Sequence, residues 1–247
     1  MILEICAGSY NSAVAAMEGG ADRLELCSGL SEGGLTPSLA LMKAVCQLPN
    51  IRKHILIRPR GGDFLYNAGE KAIILDDIRI AHDTGADGIV IGALLEDGRI
   101  DVPFLKECVK VADGMKITFH RAFDVCADPF IALEEIIDAG CTSILTSGQD
   151  ITAEAGIPMI RQLVQKANGA ISIMPGRGVS KDNVYRILTE TGATEIHHTA
   201  RSDVYSKMKY QHGGVEMGAA GVDEYTIQES NADIVRMVMK EVAKVGK

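Results

Sequence analysis

The chain has 247 residues, of which 47% are hydrophobic and 23% are charged, and its formal net charge at pH 7 is −8. This length and composition exclude a disordered chain and allow a large apolar core. The acidic balance, the lack of Trp and an aromatic content of 4% argue against a nucleic-acid partner, which needs a basic surface and stacking side chains.

The sequence shows no sign of export or membrane insertion. It opens on MILEICA without a basic segment or cleavage site, and no apolar run approaches the roughly 18 residues of a membrane span. Its six cysteines form no C-x-x-C pair, so we expect reduced thiols rather than a disulfide framework. These observations predict a cytoplasmic protein with no membrane partner.

Strand and helix patterns alternate along the whole chain. Short β-rich runs predict strands near residues 2–6, 22–27, 54–58, 88–92, 115–120, 143–147, 170–174 and 194–198, with helical apolar spacing between them. A last helical pattern lies in NADIVRMVMKEVAKV. Every second strand follows a similar motif (GADRLELCS, GADGIVIGA, GCTSILTSG and GATEIHHTA), in which Gly ends a helix.

Eight strands with covering helices in about 250 residues predict an α/β protein, a single-domain TIM (β/α)8 barrel over residues 1–247. The alternative is an open doubly wound sheet. That fold usually carries a nucleotide loop, and the sequence contains neither G-x-G-x-x-G nor a Walker A motif.

Side-chain alternation assigns the polar residues of the strands to the barrel interior. The predicted inward set is Glu4, Cys6, Glu25, Cys27, Thr118, His120, Glu195 and His197. Buried carboxylates must find cations or hydrogen-bond donors, or take up protons. For Glu4 and Glu195, deeper along their strands, we predict a structural ion-pair network with cations from the rim, drawn from Arg58, Arg60, His120, Arg121, Arg177 and Arg201.

In TIM barrels, function lies at the carboxyl ends of the strands and in the loops that follow them. Two long segments, 59–70 and 199–225, are predicted as loops over this face. One hypothesis is therefore an enzyme of lyase or isomerase type that acts on a small anionic or sugar-like metabolite. Its catalytic groups would be Glu25, His120 and Arg121, and its substrate-binding residues Arg58, Arg60, Asp63, Ser147, Arg177, His197 and Arg201.

A thiol pair supports a different hypothesis. Cys6 and Cys27 end neighbouring strands with the same parity, so their sulfurs could approach within a few Å. Soft thiolates select Cu(I), zinc or iron–sulfur clusters, and two sulfurs alone suit Cu(I) better than tetrahedral zinc. Plain packing is the alternative, because free Cys is a small and commonly buried residue.

Five motifs, spread over residues 4–201, closely resemble the CutC family, which is named for copper homeostasis. They are ELCSGLSEGGLTPS, IRPRGGDFLY, TFHRAFD, LTSG and ATEIHHTAR. The resemblance implies a cytoplasmic TIM barrel, often a homo-oligomer, that is associated with Cu(I) through Cys6 and Cys27. It implies no particular reaction, so whether the chain is an enzyme stays open. Related sequences often have Gly where this chain has Arg177, and an anion-binding role for that side chain would be local to this chain.

Overall fold

A computed structural model describes residues 1–213 and 223–245. Its central feature is a barrel of eight parallel strands, whose hydrogen-bonded order is β7-β6-β5-β4-β3-β2-β1-β8. The strands are β1 (Ile2–Ala7), β2 (Arg23–Leu26), β3 (Arg52–Leu56), β4 (Gly88–Ile91), β5 (Lys116–Phe119), β6 (Ser143–Thr146), β7 (Ser172–Pro175) and β8 (Glu195–His198). The predicted TIM barrel is confirmed, with each strand within a few residues of its predicted place.

A helix follows every strand of the barrel. The helices are α1 (Tyr10–Glu18), α2 (Leu39–Cys46), α3 (Ala68–Asp83), α4 (Val102–Val111), α5 (Pro129–Ala139), α6 (Ile157–Ala167), α7 (Val184–Thr191) and α8 (Ala232–Val242). Several begin at side-chain caps that the sequence supplies. Asn67 and Glu70 form a reciprocal capping box at α3, and Asp128 caps α5 just before its first-turn proline.

The repeated motif at every second strand has two structural roles. Its glycines, Gly20, Gly85, Gly140 and Gly192, have φ between 76° and 97°, as expected where the chain leaves a helix. In three of these motifs, the residue two positions after the glycine has a side chain that accepts a backbone hydrogen bond. The donor is the N–H of the second residue of the preceding strand. These acceptor and donor pairs are Asp22 with Leu3 (2.9 Å), Asp87 with Lys53 (2.8 Å) and Thr142 with Ile117 (3.1 Å). The motif therefore ties neighbouring strands together at the amino end of the barrel.

The segment after β8 differs from the predicted loop. It contains an antiparallel pair, β9 (Arg201–Tyr205) and β10 (Thr226–Ser230), while residues 214–222 of the predicted loop lie outside the described residues. Both strands are largely exposed, so they lack the apolar alternation that reveals a half-buried strand. β10 also contacts α1, because the Ser230 N–H donates to the Ser12 hydroxyl at 3.0 Å.

The main apolar core lies between the barrel and its helices. Outward-facing strand residues such as Leu3, Leu24 and Phe119 are fully buried there. Inward-facing residues are thus the polar ones, as alternation predicted, and they determine what the barrel interior can do. Within the described residues, no helix is long and apolar enough to cross a membrane.

Candidate functional site

The deepest polar layer of the barrel is a closed ion-pair network. Arg23 on β2 donates to a carboxylate oxygen of Glu4 and to one of Glu195, both at 2.5 Å. Burial acts to raise the pKa of Glu4, but Arg23 and the hydrogen bond to His197 outweigh it and hold that pKa well below its usual range. The predicted structural role of Glu4 and Glu195 is thus seen in their contacts.

The cation of this network was not among those predicted. Arg23 pairs with both carboxylates, whereas the six predicted cations lie nearer the carboxyl ends of the strands. Arg23 shares its parity with Glu25 and Cys27, so alternation alone could have placed it inside the barrel.

His54 on β3 is a second inward residue that the sequence analysis missed. Its ring packs against Gly88 of β4, where an added Cβ would lie 2.5 Å from Nε2. Its Nδ1 lies 3.9 Å from Glu4, and burial lowers the pKa of His54 to about 4 despite that carboxylate. His54 is therefore a neutral, closely packed imidazole at neutral pH.

Glu25 and His197 lie one step nearer the carboxyl end. His197 Nδ1 is 2.8 Å from Glu4, and hydrogen bonds to Cys6 and Glu4 raise the pKa of His197 well above its usual value against the opposing effect of burial. Burial and the nearby Glu4 raise the pKa of Glu25, although His197 opposes this. Arg23 and a protonated His197 balance two of the three carboxylates, so Glu25 is the one that holds a proton or needs another cation.

Cys6 and Cys27 meet as their parity predicts. Their sulfurs lie 3.6 Å apart, and the Cys6 thiol donates to Glu25 Oε1 at 3.5 Å. The hydrogen bond to Cys27 and burial together raise the pKa of Cys6 well above its usual value. The donor atoms of Cys6, Glu25 and Cys27 all lie within 4.8 Å of one another, a spacing that could hold a metal ion. A second such group, Glu4, Glu25 and His197, shares Glu25 with the first.

Above these groups, a cavity of about 410 Å³ opens at the carboxyl ends of the strands. It brings together eight residues that the sequence analysis selected: Cys6, Glu25, Arg58, His120, Arg121, Arg177, His197 and Arg201. The rest of its wall consists of Leu30, Glu32, Gly33, Leu56, Phe64, Leu145, Gly178 and Thr199. Three of these, Leu30, Glu32 and Gly33, come from the loop after β2, which the barrel rule alone could have indicated.

His120 lines this cavity with a buried imidazole ring. Burial and the Arg58 guanidinium lower the pKa of His120 to about 3, so its ring is neutral. Its Nδ1 accepts the Ala122 N–H at 3.1 Å, and the ring proton is therefore assigned to Nε2. This Nε2 is buried and has no hydrogen-bond partner among the residues that the structure describes.

Two of the arginines that line the cavity are held by the protein. Arg58 donates to the carbonyl oxygens of Glu32 (2.7 Å), Gly34 (3.1 Å) and Gly62 (2.7 Å), which braces the loops after β2 and β3. Arg121 donates to Asp124 at 2.7 Å and to Ser147 at 3.2 Å. Both place positive charge at the cavity through fixed side chains.

Arg60, Asp63 and Ser147 are not among the residues that line the cavity, and their roles in substrate binding stay predictions. Arg60 pairs with Glu70 at 2.5 Å and with Asp63 at 2.9 Å, which directs this part of the loop toward α3. Ser147 is fully buried behind Arg121 and accepts its hydrogen bond.

Fold and site together define a TIM-barrel protein with a thiol pair at the carboxyl ends of its first two strands. The sequence model of the CutC family matches residues 1–202. The chain belongs to the CutC family.

Its relatives carry names from the same family. A family protein CutC from Bacteroides thetaiotaomicron is 47% identical, over 98% of this chain and 97% of the relative. The human copper homeostasis protein cutC homolog is 46% identical, over 98% of this chain and 89% of the relative. A crystal structure described as a CutC copper homeostasis protein from Streptococcus agalactiae has a TM-score of 0.77 at 33% identity and covers 80% of this chain and 97% of that one. These names state no reaction, and the enzyme hypothesis gains no support from them.

Proposed function

We propose that this protein serves copper homeostasis by binding Cu(I) between Cys6 and Cys27. The observation that carries the proposal is the distance of 3.6 Å between the two sulfurs, on neighbouring strands of a rigid barrel. The names of the relatives support copper as the metal.

The donor set suits Cu(I) better than zinc. Two sulfurs are soft ligands, and Cu(I) accepts a low coordination number, whereas structural zinc takes four ligands in a tetrahedron. The third nearby donor is an oxygen of Glu25, and the nearest imidazole, His197, has Nδ1 engaged with Glu4. Because metal binding requires thiolates, Cu(I) would displace the thiol protons.

The route to the site is the cavity. Cys6 lines the cavity wall, while Cys27 is fully buried behind it against Leu56 and Val90. A copper ion would therefore reach Cys6 first and then Cys27. The apolar neighbours of the second thiol would exclude water, and with it competing oxygen ligands, from the bound ion.

Competitive titration tests this proposal. Cu(I) is titrated in the presence of bathocuproine disulfonate into the wild type, into Cys6→Ala/Cys27→Ala, and into the matched control Cys108→Ala/Cys141→Ala. The control removes two other buried thiols, one on α4 and one just before β6. We expect the first variant to lose at least about 100-fold in affinity, since even outer-shell partners of a metal are worth 10–100-fold.

Two results would contradict the proposal. One is unchanged Cu(I) affinity in Cys6→Ala/Cys27→Ala, and the other is an equal loss in the control. A parallel titration with Zn(II) identifies the metal, because tighter relative binding of zinc would replace Cu(I) in the proposal.

We further propose that the protein is cytoplasmic and forms a homo-oligomer. All six cysteines are free, which supports a reducing compartment. Exposed apolar side chains on the β9–β10 pair, Val204, Tyr205 and Ile227, support contact with a second copy. Light scattering coupled to size exclusion tests the assembly, and a monomeric mass at micromolar concentration would contradict it.

A further inference from the structure

The cavity above the thiol pair has the character of a small-molecule site, independently of copper. We propose that it binds a small organic anion that carries a hydroxyl or carbonyl oxygen at one end and a phosphate or carboxylate at the other. The oxygen end would lie on the buried floor, at His120 and Glu25, and the anionic end at the exposed mouth, near Arg177 and Arg201.

Two residues that line the cavity, His120 and Glu25, each carry a buried polar atom without a hydrogen-bond partner in the described part of the chain. His120 Nε2 is a buried donor and Glu25 Oε2 a buried oxygen, and neither has a hydrogen-bond partner within residues 1–213 and 223–245. A buried polar group without a partner costs free energy, about 1–3 kcal/mol in protein measurements, and a native protein rarely keeps two in one place. A ligand hydroxyl could accept from His120 and interact with Glu25, which would satisfy both.

The position of His120 is fixed before any ligand arrives. Its Nδ1 is held by the Ala122 N–H, and its ring packs on Phe64 with 4.9 Å between ring centroids. Gly92, the residue after β4, leaves room for the ring, because a Cβ there would lie 2.5 Å from two ring atoms. The donor is therefore preorganised, and a ligand would pay little ordering cost at this end.

The mouth of the cavity carries the complementary charge. Arg177 and Arg201 are exposed residues that line it, and Arg58 and Arg121 add two fixed guanidinium groups deeper in the wall. Glu25 and Glu32 are the acidic residues of the lining, and Asp124 offsets part of the charge of Arg121. Arginines outnumber carboxylates around the mouth, which favours an anionic group there.

The cavity also has a suitable size and wall. Its volume of about 410 Å³ falls within the range of about 300–1,000 Å³ for small-molecule sites. Leu30, Leu56, Leu145 and Phe64 supply apolar wall between the polar floor and the charged mouth. Apolar walls with a few convergent polar groups are typical of a metabolite site.

Calorimetry with four defined probes tests the proposal on the full chain, kept copper-free with bathocuproine disulfonate. Glycerol 3-phosphate and glycerate carry both ends, with a phosphate or a carboxylate, and inorganic phosphate and glycerol carry one end each. We expect at least one two-ended probe to bind about tenfold or more tightly than either one-ended probe. The ratio between glycerol 3-phosphate and glycerate shows which anionic group the mouth prefers.

Variants locate the two ends. His120→Asn keeps an acceptor for the Ala122 N–H but removes the Nε2 donor, and we expect a five- to tenfold loss of affinity for the two-ended probe. Arg177→Gln/Arg201→Gln should weaken that probe and leave glycerol binding unchanged. The matched control is Arg79→Gln, an exposed arginine on α3 paired with Asp76, which should change nothing.

Two outcomes would overturn the proposal that the cavity binds a small organic anion. The proposal is overturned if neither two-ended probe binds at about 10 mM, weaker than any specific millimolar site, or if both His120→Asn and Arg177→Gln/Arg201→Gln bind as the wild type does. His120→Gln, which returns an amide donor near the position of Nε2, guards against a folding defect and should recover part of the affinity. Copper titration of the same variants separates the two proposals, since the arginine variant should bind Cu(I) as the wild type does.

Discussion

Two neighbouring layers of the barrel interior hold similar polar residues but differ in how fully the polar atoms are paired. In the lower layer, Arg23 lies between Glu4 and Glu195, and each carboxylate has a charged partner at 2.5 Å. In the upper layer, His120 Nε2 and Glu25 Oε2 have no partner among the described residues. The comparison shows that buried charge alone does not mark a functional site. His54 Nδ1 in the lower layer has no hydrogen-bond partner in the described part of the chain either, so what distinguishes the upper layer is a carboxylate oxygen and a ring nitrogen that both lack partners, on two residues that line the cavity at the carboxyl ends of the strands.

We expect the largest effect from a substitution that removes the cation of the lower layer. Arg23→Met leaves two buried carboxylates without their cation, and we expect the free energy of unfolding to fall by about 3–5 kcal/mol in urea denaturation. The triple variant Glu4→Gln/Arg23→Met/Glu195→Gln should recover most of this loss, because no charge is then left alone. Glu25→Gln in the upper layer should cost about 1 kcal/mol or less. A similar cost for Arg23→Met and Glu25→Gln would remove the distinction between the layers.

Substitution of the glycines beside His54 and His120 compares how tightly the two layers are packed. A Cβ at Gly88 would lie 2.5 Å from His54 and 2.7 Å from the Lys116 carbonyl oxygen, which is backbone and cannot move aside. A Cβ at Gly92 would meet the His120 ring at 2.5 Å and the Ala122 Cβ at 3.1 Å, which are side-chain atoms rather than backbone. We expect Gly88→Ala to cost about 2–3 kcal/mol and Gly92→Ala about 1 kcal/mol in thermal or urea unfolding. The reverse order would show that the upper layer is the more rigid one.

Acid titrates one histidine in each layer. The folded pKa values of about 4 for His54 and about 3 for His120 lie below their ordinary value of 6.5, so between these limits the unfolded chain binds protons that the folded chain does not. Stability contributed by the neutral rings is therefore present above about pH 6.5 and is lost as the pH falls. By pH 5 the loss is roughly 1–2 kcal/mol for each ring.

A comparison of variants isolates this effect, because the raised pKa of Glu25 acts in the opposite direction and Glu4 contributes only below about pH 4.5. The free energy of unfolding is measured at pH 7 and at pH 5 for the wild type and for His120→Asn. We expect the loss between pH 7 and pH 5 to be roughly 1–2 kcal/mol smaller in the variant. An identical difference in both proteins would mean that His120 is not held neutral. His54→Asn provides the same measurement for the lower layer.

The smallest expected effect concerns the mouth of the cavity. Arg177 has φ of 76°, in the left-handed region that favours glycine. Arg177→Gly should therefore raise the free energy of unfolding by about 0.5–1 kcal/mol while it weakens binding of a two-ended anion. A loss of stability instead would show that the Nε hydrogen bond to Ile151, at 2.7 Å, outweighs the backbone strain.

Much of the fold can be predicted from local patterns in the sequence. Short β-rich runs located all eight barrel strands, with the glycine motif at every second one, and parity alone predicted that the sulfurs of Cys6 and Cys27 could approach each other. The identity of the cation in the lower layer required more, since several arginines had the right charge and Arg23 was overlooked at the start of its strand. The direction of the Arg60 side chain could not be predicted, because it depends on an ion pair with Glu70, ten residues away on α3. The β9–β10 pair escaped notice because exposed strands leave little apolar periodicity.

The order of the strands has a consequence for how the chain is made. β1 pairs on one side with β2, about 20 residues later, and on the other with β8, where Ile2 lies opposite Glu195. During synthesis the first contact can form as soon as α1 and β2 emerge, while the second must wait for almost the whole chain. The two thiols belong to the early unit and Arg201 to the late one. The half of the interior that holds the thiol pair can thus assemble on a nascent chain long before the mouth of the cavity exists.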